Sequence, residues 1–320
     1  MVEDPLISVI VTVYNHAPYV ERCLRGIAMQ KCSYPFEVLV GEDCSPDNSR
    51  EVIKRLEPEL PDNFQIFYRE HNLCDGNNAD LIARCRGKYL AICEGDDFWT
   101  HDGKLQEQAA FLEAHPDYSA TFHHCTVVGA DSEPNGEKYP DCLEGEYTFK
   151  ENFYCTMPGQ TSTFMVRKDE YLREKERFLE LKQFDSYPED RRNAFILLVA
   201  GKVRVFQESW SAYRHVSSGG SSYSSRVRID ERYARNEVLF GRTLVEYARH
   251  YGSEDAVRWA KRTYYRLLLK WSVGKVRAAS LPDSLGELLH ERGGVGYLLG
   301  VPRWYAVLGM RALLGRGVTM

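Results

Sequence analysis

Residues 6–14, LISVIVTVY, are apolar and β-branched almost without a break, which predicts a strand buried on both faces of a parallel sheet. Pro18 can open a helix, and Val20, Cys23, Leu24 and Ile27 follow at helical spacing. FEVLVG at 36–41 predicts a second strand, and the polar EDCSPDNS leads from it into a helix carrying Val52, Ile53 and Leu56. Phe64–Tyr68 predicts a third strand, with HNLCDGNNAD turning into a helix whose apolar side is Ala79, Ile82 and Ala83. Tyr89–Cys93 is the fourth strand, and Leu105, Ala109 and Leu112 mark the helix beyond it. Strands alternating with helices in this way predict stacked βαβ units and an α/β, doubly wound sheet.

In such sheets ligands bind outside the carboxyl ends of the strands. Here those ends carry Tyr14–Asn15, Glu42–Asp43 and the stretch CEGDDFWT at 93–100, where Glu94, Asp96 and Asp97 fall within four positions. Carboxylates so close repel one another and resist burial unless a cation joins them. A solvated acidic turn is the alternative, but its place at a strand end favours a ligand. No G-x-G-x-x-G follows the first strand, no phosphate-cradling G-x-x-x-x-G-K-[ST] occurs, and GGVGYLLG at 293–300 has the wrong spacing for either. A phosphate-bearing ligand then needs a metal to offset its charge. Carboxylates beside a diphosphate make a hard-oxygen site suited to Mg²⁺ or Mn²⁺.

Composition narrows the classes. The chain of 320 residues is 43% hydrophobic and 27% charged, which is globular and large enough for one big domain or two ordinary ones. Its net charge of −5 is unevenly spread: residues 221–320 hold 17 Lys and Arg against 9 Asp and Glu, a net of +8, which leaves −13 on the first 220. An acidic front with a basic tail is the wrong distribution for a nucleic-acid binder; the tail suits an anionic membrane surface or an acidic protein patch. Nine scattered cysteines without C-x-x-C predict buried free thiols in a reducing compartment. No apolar run approaches the roughly 18 residues of a membrane span, and LISVIVTVY follows Glu3 and Asp4 rather than a basic segment, so it does not read as a signal peptide. The expected location is cytoplasmic, with peripheral contact on the inner face of the membrane as an option.

ISVIVTVYNHAPYVERCLRGIAMQ, FEVLVGEDCSPDNS and GKYLAICEGDDFWT, in this order, resemble the signature blocks of family 2 glycosyltransferases, with similarity over roughly residues 6–220. The resemblance implies a GT-A fold, a mixed sheet with a Rossmann-like nucleotide-binding half. It also implies a nucleotide-sugar donor, most often a UDP-sugar, a divalent metal, and inversion at the anomeric carbon. By position, Thr12, Tyr14 and Asn15 would line the nucleoside pocket and Asp43 would hold the base. The family's D-x-D-type motif falls on Glu94, Asp96 and Asp97, with Asp96 expected near the ribose or sugar and Asp97 on the metal. Asp43 and Asp47 can alternatively cap the following helix.

YPEDRRNAFILLVAGK resembles the family segment that supplies the catalytic base, and its spacing to Gly201 selects Asp190. Glu189 is the rival, and a plain helix cap the structural alternative. WSAYRHVSSGGSS at 210–222 resembles the segment whose Arg and His approach the diphosphate and metal, which implicates Arg214 and His215. Val216, however, stands where the family's His is expected. PGQTSTFMVRK suggests a strand through Gln160, Thr161, Ser162 and Thr163 beside the acceptor pocket, and the Gly/Ser run after His215 a closing loop. His123, His124 and Cys125 lie on a strand that would point adjacent histidines to opposite faces, so they read as structural rather than zinc ligands.

The expected organisation is a glycosyltransferase domain over 1–220, with a nucleotide-sugar half to about 115 and an acceptor half beyond, then a basic helical region over 221–320. Arg258, Arg262, Arg266 and Lys270 recur every four residues opposite Ala260, Tyr264, Leu267, Leu268 and Trp271. Such a helix either packs on a core or lies in a membrane interface with Trp271, Trp304, Tyr305 and Arg311. The acceptor would be a glycan or a lipid-linked glycan, and the tail could also support a homo-oligomer. Two other functions compete: a nucleotidyltransferase making sugar nucleotides, which would want a Gly-rich basic loop after the first strand, and an inactive binding module, which would have lost the acids.

Overall fold

The computed structural model describes residues 4–139, 142–143, 145–150, 156–185, 189–216, 228–272 and 286. The Gly/Ser run after His215, Cys155, the 293–300 glycines, Trp304, Tyr305 and Arg311 lie outside the described residues. Two compact units share the chain: Met1–Tyr147 with Pro158–Tyr171 and Gly201–Val216, and Thr148–Met157 with Leu172–Ala200 and Ser217–Met320. The division interleaves segments rather than cutting the chain once.

The first unit is built on one mixed sheet. Its strands are β1 (Ile7–Val13), β2 (Phe36–Glu42), β3 (Phe64–Tyr68), β4 (Tyr89–Glu94), β5 (Phe98–Trp99), β6 (Tyr118–Val128), β7 (Glu146–Tyr147), β8 (Met165–Arg167) and β9 (Lys202–Arg214). Their order is β3-β2-β1-β4-β8-β6-β9-β5, with β7 paired to β9. The first four are mutually parallel, as the βαβ pattern predicts; β8 runs antiparallel to β4 and makes the sheet mixed. Register brings the carboxyl ends level, Val13 opposite Glu42 and Thr12 opposite Glu94.

Helices α1 (Val20–Ala28), α2 (Ser49–Leu56), α3 (Asp75–Arg84) and α4 (Lys104–Ala114) connect these strands. Val20, Cys23, Leu24 and Ile27 are all fully buried, as are Leu105, Ala109 and Leu112. Of the face expected on α3, only Ile82 is buried. Ala79 and Ala83 are exposed, and Asn77, Leu81 and Ile82 face inward. Asn77 turns in because its amide donates to Gly41 O at 2.9 Å and accepts from Arg69 Nε at 3.0 Å. Gly41 makes room for this, since a Cβ there would stand 2.3 Å from Asn77 Oδ1. The strand expected at 160–163 is instead one 3₁₀ turn, Thr161–Thr163, capped by Gln160 Oε1 on the Ser162 N–H at 2.6 Å.

The second unit is helical, with α6 (Glu189–Ala200), α7 (Glu231–Tyr251) and α8 (Glu254–Lys270) after α5 (Lys168–Glu180), which begins in the first unit. Asp230 and Ser253 cap α7 and α8 through their side chains. Tyr264, Leu267, Leu268 and Trp271 are buried as the periodicity predicts, and Phe195 stacks on Trp259 with ring centroids 4.9 Å apart. Trp271 is therefore no interfacial anchor. Its indole N–H donates to Glu237 Oε2, a buried carboxylate that also accepts from Lys270 at 3.1 Å and Arg191 at 3.0 Å. No described helix is long and apolar enough to cross a membrane.

Candidate active site

The level carboxyl ends of β1, β2 and β4 gather most of the residues expected in the first unit. Thr12 is half-buried, whereas Tyr14 and Asn15 are exposed just beyond β1. Asn15 has a φ of 62°, a left-handed turn its short polar side chain tolerates, and its N–H donates to Ser45 Oγ at 3.1 Å. Asp47 ties this loop to α2, accepting from the Ala17 N–H at 2.9 Å and from the Ser49 N–H at 3.0 Å. Asp47 is not the N-cap, which is Asn48, but from one residue earlier it takes the first N–H of α2 and joins the two loops.

Asp43 is 4% exposed, and its oxygens accept from the N–H groups of Leu73 at 2.8 Å and Cys74 at 3.0 Å. The capping bond of the alternative reading is absent; Asp43 reaches forward to the loop before α3 instead. Its neighbour Glu42 is fully buried and neutralised by Arg50 Nε at 2.5 Å, which makes it a brace between β2 and α2.

The three carboxylates of the acidic turn, alike in sequence, occupy three environments. Asp97 is 1% exposed and doubly held: Ser162 Oγ donates to Oδ2 at 2.8 Å and the Arg214 N–H to Oδ1 at 2.8 Å. Burial, then the nearby charges of Asp96 and Glu94, push its pKa well above the carboxylate range. Glu94 is half-buried and accepts from Gln160 Nε2 at 2.9 Å. Asp96 is the open one, its side chain 36% exposed, with His16 Nε2 3.8 Å from Oδ2. Burial lowers the His16 pKa, while Asp96 and Asp47 oppose that shift.

Arg214, expected at the diphosphate, is 6% exposed and directs its donors into the protein. Nε reaches Asp96 O at 2.9 Å, Nη1 reaches Gly129 O at 2.5 Å, and Nη2 reaches Ser132 Oγ at 2.8 Å. Its guanidinium also lies over the Tyr19 ring, 3.9 Å from the centroid. His215 binds Glu137 Oε2 through Nδ1 at 2.5 Å. Among the described residues, no group of three or more His, Cys, Asp or Glu side chains is arranged to hold a metal. The half-open carboxylates of Glu94 and Asp96 are hard oxygen donors that fit Mg²⁺ or Mn²⁺ once a diphosphate adds its own oxygens. Asp97, expected on the metal, is less open to a cation than either, because it is almost wholly buried.

Behind the turn, the Trp99 indole donates to Ser162 O at 2.9 Å, and Lys104 lies under the Trp99 ring with Nζ 4.1 Å from its centroid. Lys104 is fully buried, donates to Gln108 Oε1 at 2.7 Å, and has its pKa lowered by burial to about 7. His123 is also fully buried, as the structural reading expects. Sequence reasoning passed over His16 and Lys104; the adjacency of His16 to Tyr14–Asn15 was the available signal.

Asp190 belongs to the second unit, in the first turn of α6, where Oδ1 accepts from the Arg191 N–H at 2.8 Å. The residue is exposed by surface area, yet partial desolvation of the carboxyl raises its pKa, with Arg191 opposing. For Glu189, burial acts upward too, but Arg192 and Lys175 outweigh it and hold the pKa below its ordinary value.

The profile of Glycosyl transferase family 2 matches residues 8–174. An uncharacterised protein of Mycobacterium tuberculosis (strain H37Rv) is 34% identical over 134 residues, 42% of this chain and 39% of that protein. TuaG of Bacillus subtilis (strain 168), named as a teichuronic acid biosynthesis glycosyltransferase, is 32% identical over 112 residues, 34% of this chain and 42% of that protein. The chain thus spans about two fifths of the length of these curated relatives. Among solved structures, Staphylococcus aureus TarS 1–349 in complex with UDP-GlcNAc superposes with a TM-score of 0.61 at 19% identity, covering 95% of this chain and 79% of that one. The mixed α/β sheet expected from the sequence as GT-A type is the fold found in TarS. With a family profile matching more than half its length, this chain belongs to glycosyltransferase family 2.

Proposed function

We propose that the protein is an inverting, metal-dependent glycosyltransferase that moves a sugar from a UDP donor to a hydroxyl of a glycan or lipid-linked glycan acceptor. The observation that carries this is the meeting of Asn15, Asp43 and the open Asp96 at three adjacent parallel strand ends. TarS was crystallised with UDP-GlcNAc and with UDP, which supports a uridine nucleotide. TuaG's name supports a role in polysaccharide assembly.

In this reading Thr12, Tyr14, Asn15 and Asp43 bind the nucleoside, and Glu94 and Asp96 hold the divalent cation. Asp97, Ser162 and Arg214 keep the turn in place. The cation would supply charge stabilisation to the departing diphosphate. Asp190 takes the proton of the acceptor hydroxyl as its oxygen bonds to C1 and the C1–diphosphate bond breaks, releasing UDP. Desolvation raises its pKa, in the direction a proton acceptor needs, whereas Glu189 Oε1 is occupied by Arg192 and Lys175. His215, salt-bridged to Glu137, enters only if that pair opens. Residues 1–115 would form the donor half and 116–220 the acceptor half. The +8 tail, with Arg258 and Arg262 exposed on α8, would dock the enzyme peripherally on anionic membrane.

Thermal melting tests the donor assignment. UDP with Mn²⁺ should raise the melting temperature and UDP with chelator should not. Equal shifts would remove the metal from the proposal, and no shift with any nucleotide would remove the donor site.

A further inference from the structure

The loop after β1 seats a histidine directly on the acidic turn. The His16 N–H donates to Ser49 Oγ at 2.8 Å, and the Ala17 N–H to Asp47 Oδ2 at 2.9 Å, so the backbone on both sides is fixed to the start of α2. Beneath the ring is Gly95. A Cβ there would stand 2.8 Å from His16 Nδ1 and 3.0 Å from Thr12 O, so any larger residue would displace the imidazole or the strand end. Nδ1 is buried and has no hydrogen-bond partner among the described residues. Because a buried N–H without an acceptor is costly, we assign the neutral ring the tautomer with its proton on Nε2, the atom 3.8 Å from Asp96 Oδ2. That separation is electrostatic contact rather than a hydrogen bond.

The other two carboxylates have firm tethers, Gln160 on Glu94 and the Ser162–Arg214 pair on Asp97. The side chain of Asp96 makes no hydrogen bond among the described residues; His16 Nε2 faces it, and the charge of Arg214, whose Nε donates to the Asp96 carbonyl, also reaches it. An untethered carboxylate loses rotamer freedom when a ligand captures it, and a neighbour that already restricts it reduces that loss.

We propose that His16 is the positioning residue for Asp96: seated on Gly95, its imidazole restrains the Asp96 carboxylate in the orientation that receives the donor diphosphate and its cation. The inference rests on the donor-binding reading above and assigns His16 no contact with the reacting atoms. Hydrogen-bonded partners one step behind a metal ligand commonly set affinity by about 10- to 100-fold, and the longer His16 contact belongs at the low end of that range.

The test measures Mn²⁺ binding in the presence of UDP by electron paramagnetic resonance, together with donor KM and kcat, for the wild type, His16→Ala and His16→Gln. Glutamine keeps an amide N–H near the reach of Nε2. Alanine should weaken Mn²⁺ binding roughly tenfold and raise KM by a similar factor, with kcat nearly unchanged, and glutamine should recover most of the loss. An alanine variant with wild-type Mn²⁺ affinity, or a glutamine variant no better than alanine, overturns the positioning role. A wild-type protein that binds no UDP overturns the donor reading instead.

Discussion

The Arg214 N–H donates to Asp97 Oδ1 at 2.8 Å, joining residues 117 positions apart in the sequence. With Ser162 Oγ on the other oxygen, Asp97 is a knot between the acidic turn, the 3₁₀ turn and β9. Asp97→Ala would strand both donors in a buried site, at a cost of about 2–4 kcal/mol. Asp97→Asn should be tolerated far better, because its amide oxygen can accept from Arg214 while its NH₂ donates to Ser162. Urea unfolding of both variants checks this; equal losses would show that the knot contributes nothing specific.

Asp96→Asn should show the opposite behaviour. The side chain is 36% exposed and braces nothing, so stability should change by less than about 0.5 kcal/mol. UDP affinity in the presence of Mn²⁺ should fall at least tenfold, while affinity in chelator stays as it was. Calorimetry reads both, and undiminished Mn²⁺-dependent binding would take Asp96 out of the cation site.

Asp190→Asn should abolish transfer and leave UDP affinity intact, since an amide keeps the shape but accepts no proton. Glu189→Gln should retain most activity. If the two results are reversed, Glu189 is the base.

Lys104 predicts a pH dependence. Its folded pKa of about 7 lies below the ordinary 10.5, so the unfolded chain binds one more proton between those values. Stability owed to this group therefore rises with pH across that window, and the cost is complete below pH 7. Lys104→Met removes the titration. Its stability relative to the wild type should be greatest at or below pH 7 and should decline by up to a few kcal/mol toward pH 10. A constant difference across the range would mean that Lys104 keeps its proton in the fold.

The parallel strands were legible because burial on both faces writes a continuous apolar run, and α1 and α4 because large apolar residues repeat at helical spacing. The face of α3 was not, since periodicity counts alanine as apolar and asparagine as polar. Ala79 tolerates water, and Asn77 is drawn in by hydrogen bonds that periodicity does not record. The same blindness affected the acidic turn. Its chemistry could be read from three clustered carboxylates, but the division of labour among them depends on Gln160, Ser162 and Arg214, 65 to 118 positions away. Trp271 looked amphipathic beside a basic stripe; its partner Glu237 lies on another helix, 34 residues earlier.

The pairing of β9 with β6 and β5 sets an order on the birth of the site. A ribosome that has released the first hundred residues has delivered Asn15, Asp43 and the whole acidic turn, yet nothing that can hold Asp97. Ser162 arrives later and Arg214 later still, so Asp97 must wait without either donor while more than a third of the chain is made. Fragments cut before Lys202 would carry every recognisable motif of the donor half and lack the strand that makes them a site.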